Sequence, residues 1–410
     1  MYEVLRDTVV IPYGCLRDIK CIIKDYPITL DLRDHNDVFY EGSPVDLYDY
    51  QEEAVNEMIA KTYGILQSKA GSGKTQMGVA IAQRLDKPTL WLTHTADLLD
   101  QSYLRASLYI SEKYLGTITA GKVNVGKFIT FATVQTMAKL DLVNYQDLWD
   151  VVIVDECHRV SSGTSSLSMF YKVLKSLKAR HKYGLSATVD RADGLIKSTF
   201  AILGNIVYRV PDEAVADKVM SCEVKPIYTG VKLVEECLNS DGTLNHTYLI
   251  NYLADDDDRT YMIADLIRQN KDHPSLILSD RIDHLEQIYS KLPSNLKRES
   301  VIVTGKMTSK RGKEERKKAL EDMRNGKKTY LFATYQLAKE GLDIPRLERL
   351  YLTTPHKDVV TTTQAIGRIQ RTHPNKGMPI CYDFVDSIEY CYKAWKKRKR
   401  IYEQNGCEII

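Results

Sequence analysis

The sequence predicts an α/β protein with two tandem doubly wound parallel-sheet domains, preceded by a small N-terminal α+β domain. Two observations carry this prediction. Apolar strand-like segments alternate with amphipathic helix-like segments in two successive series. A glycine-rich loop, SKAGSGKT, stands between the first strand and helix of the first series. The predicted boundaries are 1–45 for the N-terminal domain, 46–222 and 223–400 for the sheet domains, and 401–410 for a tail.

Composition and charge exclude some classes of protein. The 57 basic and 54 acidic residues give a net charge of +3, which does not by itself indicate a nucleic-acid partner. No apolar run approaches membrane-spanning length, and the N-terminus carries acids where a signal peptide has a basic head. The eight cysteines show no CxxC pair or zinc-ligand spacing. We therefore expect a cytoplasmic protein with reduced thiols and no membrane partner.

The first 45 residues read as a separate unit. The stretch EVLRDTVVIPY suggests a strand, CLRDIKCIIKDY suggests a short amphipathic helix, and LDLRDHNDVFYEG ends in turn residues. A DNA-contacting accessory domain and a packing cap are equally compatible with this pattern.

The glycine-rich loop predicts a phosphate-binding site. Gly71 and Gly73 let the backbone approach phosphate oxygens, and the N-terminus of the following helix favours negative charge. Lys74 can reach the β- and γ-phosphates, and the Thr75 hydroxyl can bind Mg²⁺. The strict pattern has glycine where this chain has Ser68, so a solvated turn is the alternative.

Two further segments of the first domain suit the same ligand. The run VVIVDECH is a buried strand ending in acids, so Asp155 can hold Mg²⁺ and Glu156 can orient or deprotonate water. Gln51, on the predicted helix LYDYQEEAVNEMI, has the paired donor and acceptor that a purine edge needs. Taken alone, these residues could be a solvated strand end and a surface glutamine.

Polar residues follow several strands of the first domain. The segments THT, ATVQT and SAT each end an apolar run, so their hydroxyls are expected along the carboxyl edge of the sheet. Such an edge can contact phosphates of ATP or of a nucleic-acid backbone.

The second domain is predicted to begin after an irregular, proline-punctuated stretch between Pro211 and Gly230. The run DDDD at 255–258 is interpreted as the N-terminal flank of a helix, with a metal site as the weaker alternative. Strands and helices then alternate from SLILSD to PICYDFVD.

The segment QAIGRIQR is the candidate catalytic element of the second domain. Gln364, Arg368 and Arg371 fall on one helix face, so two guanidiniums can converge on a transferring phosphate, as arginine fingers do. The alternative is a basic surface helix.

Two basic segments, KMTSKRGKEERKK and KAWKKRKR, suggest a nucleic-acid track. In the second of them, Trp395 and nearby tyrosines could stack on bases while the cations contact phosphates. The mixed charges of the first segment fit a solvated helix face instead.

Together these segments resemble the superfamily 2 helicases of the DExH class, over roughly residues 45 to 395. In the family's order they are YQ, AGSGKT, WLTHTADLLDQ, FATVQTM, DECH, SAT, LILSDRIDH, ATYQLAKEGLDIP and QAIGRIQR. The resemblance implies two RecA-like domains, with ATP and Mg²⁺ as cofactors. Tyr48 departs from the family pattern, since many relatives have arginine before the YQ pair.

The resemblance also implies a role for each matching residue. The implied catalytic residues are Asp155, Glu156, Gln364, Arg368 and Arg371, with Thr75 and Asp155 as the Mg²⁺ ligands. The implied ATP-binding residues are Gln51, Ala70, Gly71, Ser72, Gly73, Lys74, Thr75, Gly341 and Asp343. The residues implied to couple hydrolysis to nucleic acid are His158, Ser186 and Thr188. The implied nucleic-acid contacts are Thr93, His94, Thr133, Gln135, Ser279, Arg281 and Thr334.

Within the superfamily, DECHRV and LSATVDRADG look most like the UvsW-type helicases of tailed phages, with XPB-like repair helicases as cousins. This similarity implies ATP-driven remodelling of branched DNA, in a host-cell cytoplasm if a phage encodes the protein. DNA is then the expected partner, through backbone contacts, alongside other replication or recombination proteins. The alternatives are an RNA helicase or RNA-stimulated ATPase, and a nucleotide-switched binding protein without productive turnover.

Overall fold

A computed structural model describes residues 2–6, 8–23, 27–69, 71–161, 164–187, 196–211, 213–214, 219–305, 307, 309–339 and 342–410. The chain divides into two compact units, Met1–Val215 and Ala216–Ile410. The boundary predicted from the sequence, after residue 222, lies a few residues later in the chain. The first 45 residues were predicted to form a separate domain. In the structure those residues belong to the first unit.

The first unit is built on a mostly parallel sheet. Its strands are β1 (Glu3–Leu5), β2 (Thr8–Val10), β3 (Tyr63–Gln67), β4 (Thr89–Thr93), β5 (Leu115–Thr119), β6 (Lys122–Asn124), β7 (Ile129–Thr133), β8 (Val151–Asp155), β9 (His181–Ser186) and β10 (Ile206–Arg209). Its helices are α1 (Leu16–Ile22), α2 (Asp49–Ile59), α3 (Lys74–Leu85), α4 (Ala96–Ala106), α5 (Val134–Met137), α6 (Thr164–Ser176) and α7 (Ile196–Leu203).

The strand order of the main sheet is β10-β3-β9-β8-β4-β7-β5-β6, with an antiparallel pair only at β5 and β6, and β1 and β2 form a separate hairpin. Strands β4, β7 and β8 are buried along their whole length, which explains their continuous apolar sequences. The predicted parallel α/β fold is confirmed. The β5–β6 hairpin and β10 were not predicted, because their short segments carry weak apolar patterns.

The second unit contains a wholly parallel sheet. Its strands are β11 (Cys222–Lys232), β12 (Ser275–Ser279), β13 (Ser300–Val303), β14 (Tyr330–Thr334), β15 (Arg349–Leu352), β16 (Ile380–Ser387) and β17 (Cys407–Ile409). Its helices are α8 (His246–Asp255), α9 (Asp257–Gln269), α10 (Ile282–Lys291), α11 (Ser294–Arg298), α12 (Lys310–Arg324), α13 (Tyr335–Lys339), α14 (Val359–Ile369) and α15 (Glu389–Gln404). The strand order is β13-β14-β12-β15-β16-β11-β17.

Two predictions at the ends of this unit differ from the structure. The proline-punctuated stretch is in fact strand β11, in which Pro226 pairs with Asp383 of β16. Strand β17 flanks β11 only from Cys222 to Val224, so Pro226 lies where one side of β11 is open, and an open edge tolerates a missing N–H. The predicted tail at 401–410 completes α15 and forms β17.

Three of the four aspartates begin helix α9, as predicted, whereas Asp255 is the last residue of α8. Asp256 is the N-cap of α9, and its carboxylate accepts a hydrogen bond of 2.8 Å from the backbone N–H of Arg259. Asp257 and Asp258 occupy the first turn, where the helix dipole favours negative charge.

A segment that we call the strap, residues 33–43, runs along the amino-terminal edge of the first sheet. Arg33 bridges to Ala179 before β9, and the backbone N–H of Val38 donates to Asp86 before β4. The N–H and Nδ1 of His35 each lie 2.8 Å from a carboxylate oxygen of the fully buried Asp150. The strap is therefore a structural part of the first unit.

Candidate nucleotide site and nucleic-acid edge

The phosphate loop of the first unit has the backbone geometry that the sequence predicts. It connects β3 to α3, and Gly71 and Gly73 have φ angles of 86° and 82°, in the left-handed region. A Cβ at Gly73 would approach Nε2 of Gln51 to 2.4 Å. Both glycines are therefore required by the loop, whereas Ala70 lies outside the described residues.

Ser68, the departure from the strict pattern, fits this loop without strain. It is not among the described residues with positive φ, and only 2 % of it is exposed. Its hydroxyl donates to Oγ of Ser72 at 2.5 Å, and its N–H donates to the carbonyl of Ser186 at 3.0 Å. A serine at this position therefore adds a side-chain hydrogen bond within the loop.

Lys74 and Thr75 open α3, as the sequence predicts. The Lys74 ammonium is buried and lies 3.3 Å and 3.4 Å from the carbonyls of Ser68 and Lys69. Thr75 is half-buried in the first turn of the helix. Both side chains thus lie at a helix N-terminus, where anions bind.

Gln51 secures the loop in this structure. Its Nε2 donates to the carbonyl of Ser72 at 2.8 Å, and its Oε1 accepts from the N–H of Tyr48 at 3.0 Å. The hydroxyl of Tyr50, which sequence reasoning did not single out, donates to the same Ser72 carbonyl at 2.9 Å. The amide that was expected to contact adenine is occupied by these bonds.

Asp155 is buried at the carboxyl end of β8. It accepts hydrogen bonds from the N–H of Glu156 at 2.9 Å and from the hydroxyl of Ser102 at 3.2 Å. Burial, and then the neighbouring charge of Glu156, raise the pKa of this carboxyl. A bound cation would reverse that effect, because an opposite charge favours the carboxylate.

A path of short contacts connects Glu156 to the loop. Glu156 has a φ of 49°, which is strained for a residue with a side chain, and its Oε2 lies 3.2 Å from Nδ1 of His158. The same Nδ1 lies 3.0 Å from the hydroxyl of Ser186. The carbonyl of Ser186 in turn accepts from Ser68. Thr188, the other predicted coupling residue, lies outside the described residues.

The predicted nucleic-acid residues of the first unit meet at one sheet edge. Thr93 and Thr133 are register partners at the ends of β4 and β7. Thr93 is fully buried, and its hydroxyl donates to the carbonyl of Thr95 at 3.0 Å. Gln135 and His94 are half-buried, and Nε2 of Gln135 donates to the carbonyl of His94 at 2.7 Å. A ligand on this edge would meet His94 and Gln135 rather than Thr93.

The corresponding residues of the second unit meet at its carboxyl edge, where Ser279 and Thr334 are register partners. Ser279 is buried, and its hydroxyl lies 3.1 Å from Nδ1 of His284 and accepts from the N–H of Arg281. Nε of Arg281 donates to Asn251 at 2.7 Å. Thr334 and Arg281 are half-buried, so they are the members of this set that a ligand could reach.

The predicted arginines of the second unit are bonded within that unit. Arg371 forms an ion pair with Asp343, and Nε and Nη2 of Arg368 donate to the carbonyl of Ala338 at 3.2 Å and 3.0 Å. Gln364 is buried on α14, and its Oε1 accepts no hydrogen bond from the part of the chain that the structure describes. Gly341 lies outside the described residues.

Sequence reasoning missed Lys376. Its ammonium donates to the carbonyls of Ile369, Arg371 and Pro345 at 2.6, 2.7 and 2.9 Å. Burial lowers its pKa to about 8. The only signal in the sequence was a lysine in a polar turn, which does not reveal these three acceptors.

The basic segment of α15 differs in part from its prediction. Trp395 is only 5 % exposed and belongs to the hydrophobic core, so it cannot stack on bases. Arg398 is 2 % exposed, and its Nε and Nη2 bind both carboxylate oxygens of Asp383 at 2.8 Å and 2.7 Å. These two residues hold α15 on the sheet instead of contacting nucleic acid.

The first unit offers oxygen ligands that suit Mg²⁺ bound to a nucleotide. No group of three or more histidine, cysteine or acidic side chains in the described ranges could hold a metal ion by itself. Mg²⁺ is usually held by one or two carboxylates together with substrate phosphates, so Asp155 and the Thr75 hydroxyl are a sufficient protein contribution. The glycine cradle beside them suits the phosphates.

Two family models match the chain. The model described as "Type III restriction enzyme, res subunit" matches residues 44–191. The model described as "Helicase conserved C-terminal domain" matches residues 258–373. Over the described residues, no helix is both long enough and apolar enough to cross a membrane.

Three curated relatives are similar over most of the chain. A putative ATP-dependent RNA helicase of Acanthamoeba polyphaga mimivirus is 28% identical, over 83% of this chain and 63% of the relative. A probable helicase of Escherichia phage T5 is 26% identical, over 95% and 85%. A DNA 3'-5' helicase, XPB, of Kineococcus radiotolerans is 23% identical, over 85% and 62%. The chain thus spans less than two thirds of the mimivirus and Kineococcus proteins.

Solved structures have the same fold. Dbp5 of S. cerevisiae, bound to RNA and ADP BeF3, matches 98% of this chain and 94% of its own with a TM-score of 0.63. The two sequences are 16% identical, so the likeness concerns the fold alone.

Proposed function

We propose that this chain is a superfamily 2 helicase, and that it uses ATP hydrolysis to move along DNA and to remodel branched DNA. Forks and four-way junctions are the proposed substrates. The proposal has two parts, an ATP-hydrolysing motor and a DNA track, and they have different support.

The phosphate loop and the end of β8 support the motor. Lys74 and the N–H groups at the start of α3 would hold the phosphates, and Thr75 and Asp155 would hold Mg²⁺. The bound cation supplies charge neutralisation at the phosphates. Glu156 would orient or deprotonate the attacking water. Gln51 would turn to adenine only by giving up a bond to the loop, so we propose that nucleotide binding changes this contact.

The second unit would supply the remaining groups. We propose that Arg368 and Arg371 act as arginine fingers, that Gln364 senses hydrolysis, and that Gly341 and Asp343 approach the nucleotide. Arg371 would then exchange its ion pair with Asp343 for the transferring phosphate.

The path from Glu156 through His158 and Ser186 to Ser68 is the observation that carries the proposal. It joins Glu156 to the phosphate loop through the buried side chains of His158 and Ser186 and then through a backbone hydrogen bond from Ser68 to Ser186. We propose that loss of the γ-phosphate shifts Glu156 and, through these contacts, Ser186. Ser186 lies at the carboxyl edge where the nucleic acid is proposed to bind.

DNA is the proposed track because the relatives include a DNA 3'-5' helicase and because the motifs resemble UvsW-type helicases. The proposed contacts are the accessible side chains of the two edges, His94, Gln135, Arg281 and Thr334. The narrower placement beside the UvsW-type helicases is part of this proposal.

The test is ATP hydrolysis with matched single-stranded, duplex, forked and four-way DNA and with RNA, while junction conversion is followed in parallel. We expect forked and four-way DNA to stimulate most and junctions to be converted only during turnover. Glu156→Gln should abolish both activities, and the exposed Glu112→Gln should leave both unchanged. Junction conversion by Glu156→Gln would point to binding without turnover and would refute the motor.

A second variant tests the path itself. Ser186→Ala removes the hydroxyl 3.0 Å from His158, so DNA-stimulated hydrolysis should survive while junction conversion falls roughly tenfold, the equivalent of one hydrogen bond of about 1.4 kcal/mol. Ser107→Ala, which removes an exposed hydroxyl bonded to Leu104, is the control. Equal loss of both activities would contradict a coupling role.

An RNA helicase is the second candidate, because the mimivirus relative, at 28% identity, is named as one. Stimulation by RNA alone would keep the motor residues and replace the proposed track.

A further inference from the structure

Helix α15 presents a cationic side whose position is fixed by a buried ion pair. Its core side packs Trp395 and Arg398 against the sheet, and the guanidinium of Arg398 holds Asp383 through two bonds. Lys393 and Lys397 lie on the solvent side of the same helix. Their placement is therefore rigid, although their side chains are exposed.

The same arginine brings a third cation to this side. Nη1 of Arg398 donates to the carbonyl of His356 at 2.7 Å, which holds the segment after β15 against α15. The next residue, Lys357, places its ammonium 3.5 Å from the ring centroid of Tyr390. This short cation–π contact orients the ammonium on the surface of the helix.

Lys393 and Lys397 follow Tyr390 by three and seven residues on α15, so they lie on the helix face where Lys357 covers the Tyr390 ring. Burial lowers the pKa of Lys357, and the charges of Lys397 and Lys393 lower it further. Lys393 also pairs with Glu389 at 2.5 Å, but both partners are mostly exposed, so this ion pair contributes little free energy and a phosphate can replace Glu389. A fold that holds three like charges together gains stability when an anion binds between them.

The cluster lies at the carboxyl edge of the second sheet. The segment after β15 continues beside the end of β12, because the hydroxyl of Thr354 donates to Asp280 at 3.1 Å and the N–H of Asp280 donates back to it at 3.0 Å. Arg281 and Thr334 lie at this same edge. An extended polyanion bound along the edge could therefore also reach α15.

We propose that Lys357, Lys393 and Lys397 form a phosphate-binding site for the backbone of the nucleic-acid track. We call these residues the α15 site; it rests on the proposed function, and it lies outside every motif that carried the resemblance. We expect it to read no bases, since ammonium groups contact phosphates and Trp395 is buried. Its contribution is salt-dependent affinity and a grip on the backbone.

The experiment measures the affinity of the full chain for labelled single-stranded and duplex DNA over a series of salt concentrations. Lys357→Gln/Lys397→Gln removes two of the proposed phosphate contacts. We expect the slope of log affinity against log salt to fall in magnitude by roughly 1.4 on single strands and 1.8 on duplex. Lys357→Arg/Lys397→Arg keeps the charges and should bind with the wild-type slope.

Lys399→Gln is the matched control. It removes one charge from the same helix, roughly 160° around the axis from Lys397, where Lys399 faces Glu403 at 4.0 Å. The single variant Lys397→Gln changes only an exposed side chain, so it tests the site even if the double variant folds poorly. Its slope should fall by roughly 0.7 to 0.9.

The outcomes separate this inference from the proposed function. A wild-type slope in both glutamine variants, or an equal fall in Lys399→Gln, would overturn the α15 site while leaving the helicase function in place. A wild-type chain that binds no nucleic acid at any salt concentration would overturn the proposed function itself.

Discussion

A single lysine, Lys376, ties together the two segments that carry Arg371 and Asp343. Its three carbonyl acceptors belong to the end of α14, to Arg371 itself and to Pro345, two residues after Asp343. It thereby caps a helix C-terminus with a cation, which the helix dipole favours. Because the ammonium donates to three backbone carbonyls, we assign Lys376 a positioning role.

We predict that Lys376→Met lowers kcat for ATP while KM for ATP changes little. The three carbonyls lose their common donor, so Arg371 is held less precisely, and a misplacement of about 1 Å can cost up to about a hundredfold. Lys327→Met, in an exposed turn, is the control. A rise in KM at unchanged kcat would show that Lys376 acts on nucleotide binding instead.

His284 gives the second unit a sensitivity to acid. It is fully buried against Ser279, and burial, followed by the charge of Arg259, lowers its pKa to about 3. The folded chain therefore stays unprotonated at this site while the unfolded chain, with a pKa of about 6.5, takes up a proton. Stability is full above pH 6.5 and declines as the pH falls from there towards 3.

Because of this pKa difference, we expect the free energy of unfolding to be about 2 kcal/mol lower at pH 5 than at pH 7. Urea unfolding of wild type and of His284→Asn at both pH values measures it. Asparagine keeps a hydrogen-bonding group near Ser279 but cannot titrate. The same loss in both proteins would assign the effect to other groups.

At the scale of elements, α15 is held by a buried ion pair rather than by apolar packing alone. Asp383 accepts from Arg398 and also from the hydroxyl of Tyr402 at 2.6 Å, so the carboxylate is well satisfied. Breaking such a pair leaves an uncompensated charge in the core.

Arg398→Met should therefore lower the unfolding free energy by about 3 to 5 kcal/mol. Lys399→Met, which removes only an exposed pair with Glu403, should cost no more than about 1 kcal/mol. Urea unfolding compares the two variants. Similar costs would mean that the chain relaxes to solvate Asp383.

The elements that could be predicted from sequence are those whose signal is local. The run VVIVD is buried on every side in β8, and the loop glycines have the left-handed φ angles that their spacing suggested. Strand β11 was not predicted because it contains Pro226. A proline is tolerated there only because β17 ends before it, and β17 lies about 180 residues later in the chain.

The same limit applied to the candidate site. Residue types indicated the candidate side chains, but not that Gln51 is bonded to Ser72 or that Thr93 is buried. Arg398 and Trp395 looked like surface groups because a basic run hides which of its members face the core. These outcomes depend on packing between distant segments, which a pattern along the chain does not contain.

At the scale of the whole molecule, the strap makes the first 45 residues part of the first unit. We expect a chain beginning at residue 46 to lose about 3 kcal/mol in the unfolding free energy of that unit, because the buried Asp150 would lose both hydrogen bonds to His35, each worth about 1.5 kcal/mol. Thermal unfolding measures the loss, and His35→Ala is the milder comparison. A truncated chain of wild-type stability but weaker DNA binding would favour an accessory DNA-contacting domain instead.

The strap also affects the rate at which the first unit unfolds. The bonds from His35 to Asp150 and from Asp34 to Arg180 close loops of 115 and 146 residues, so they can form only after the strands at that edge have assembled. Contacts that form after the folding transition state leave the folding rate unchanged and slow unfolding. We therefore expect the strap to set the lifetime of the folded first unit rather than the speed at which it folds.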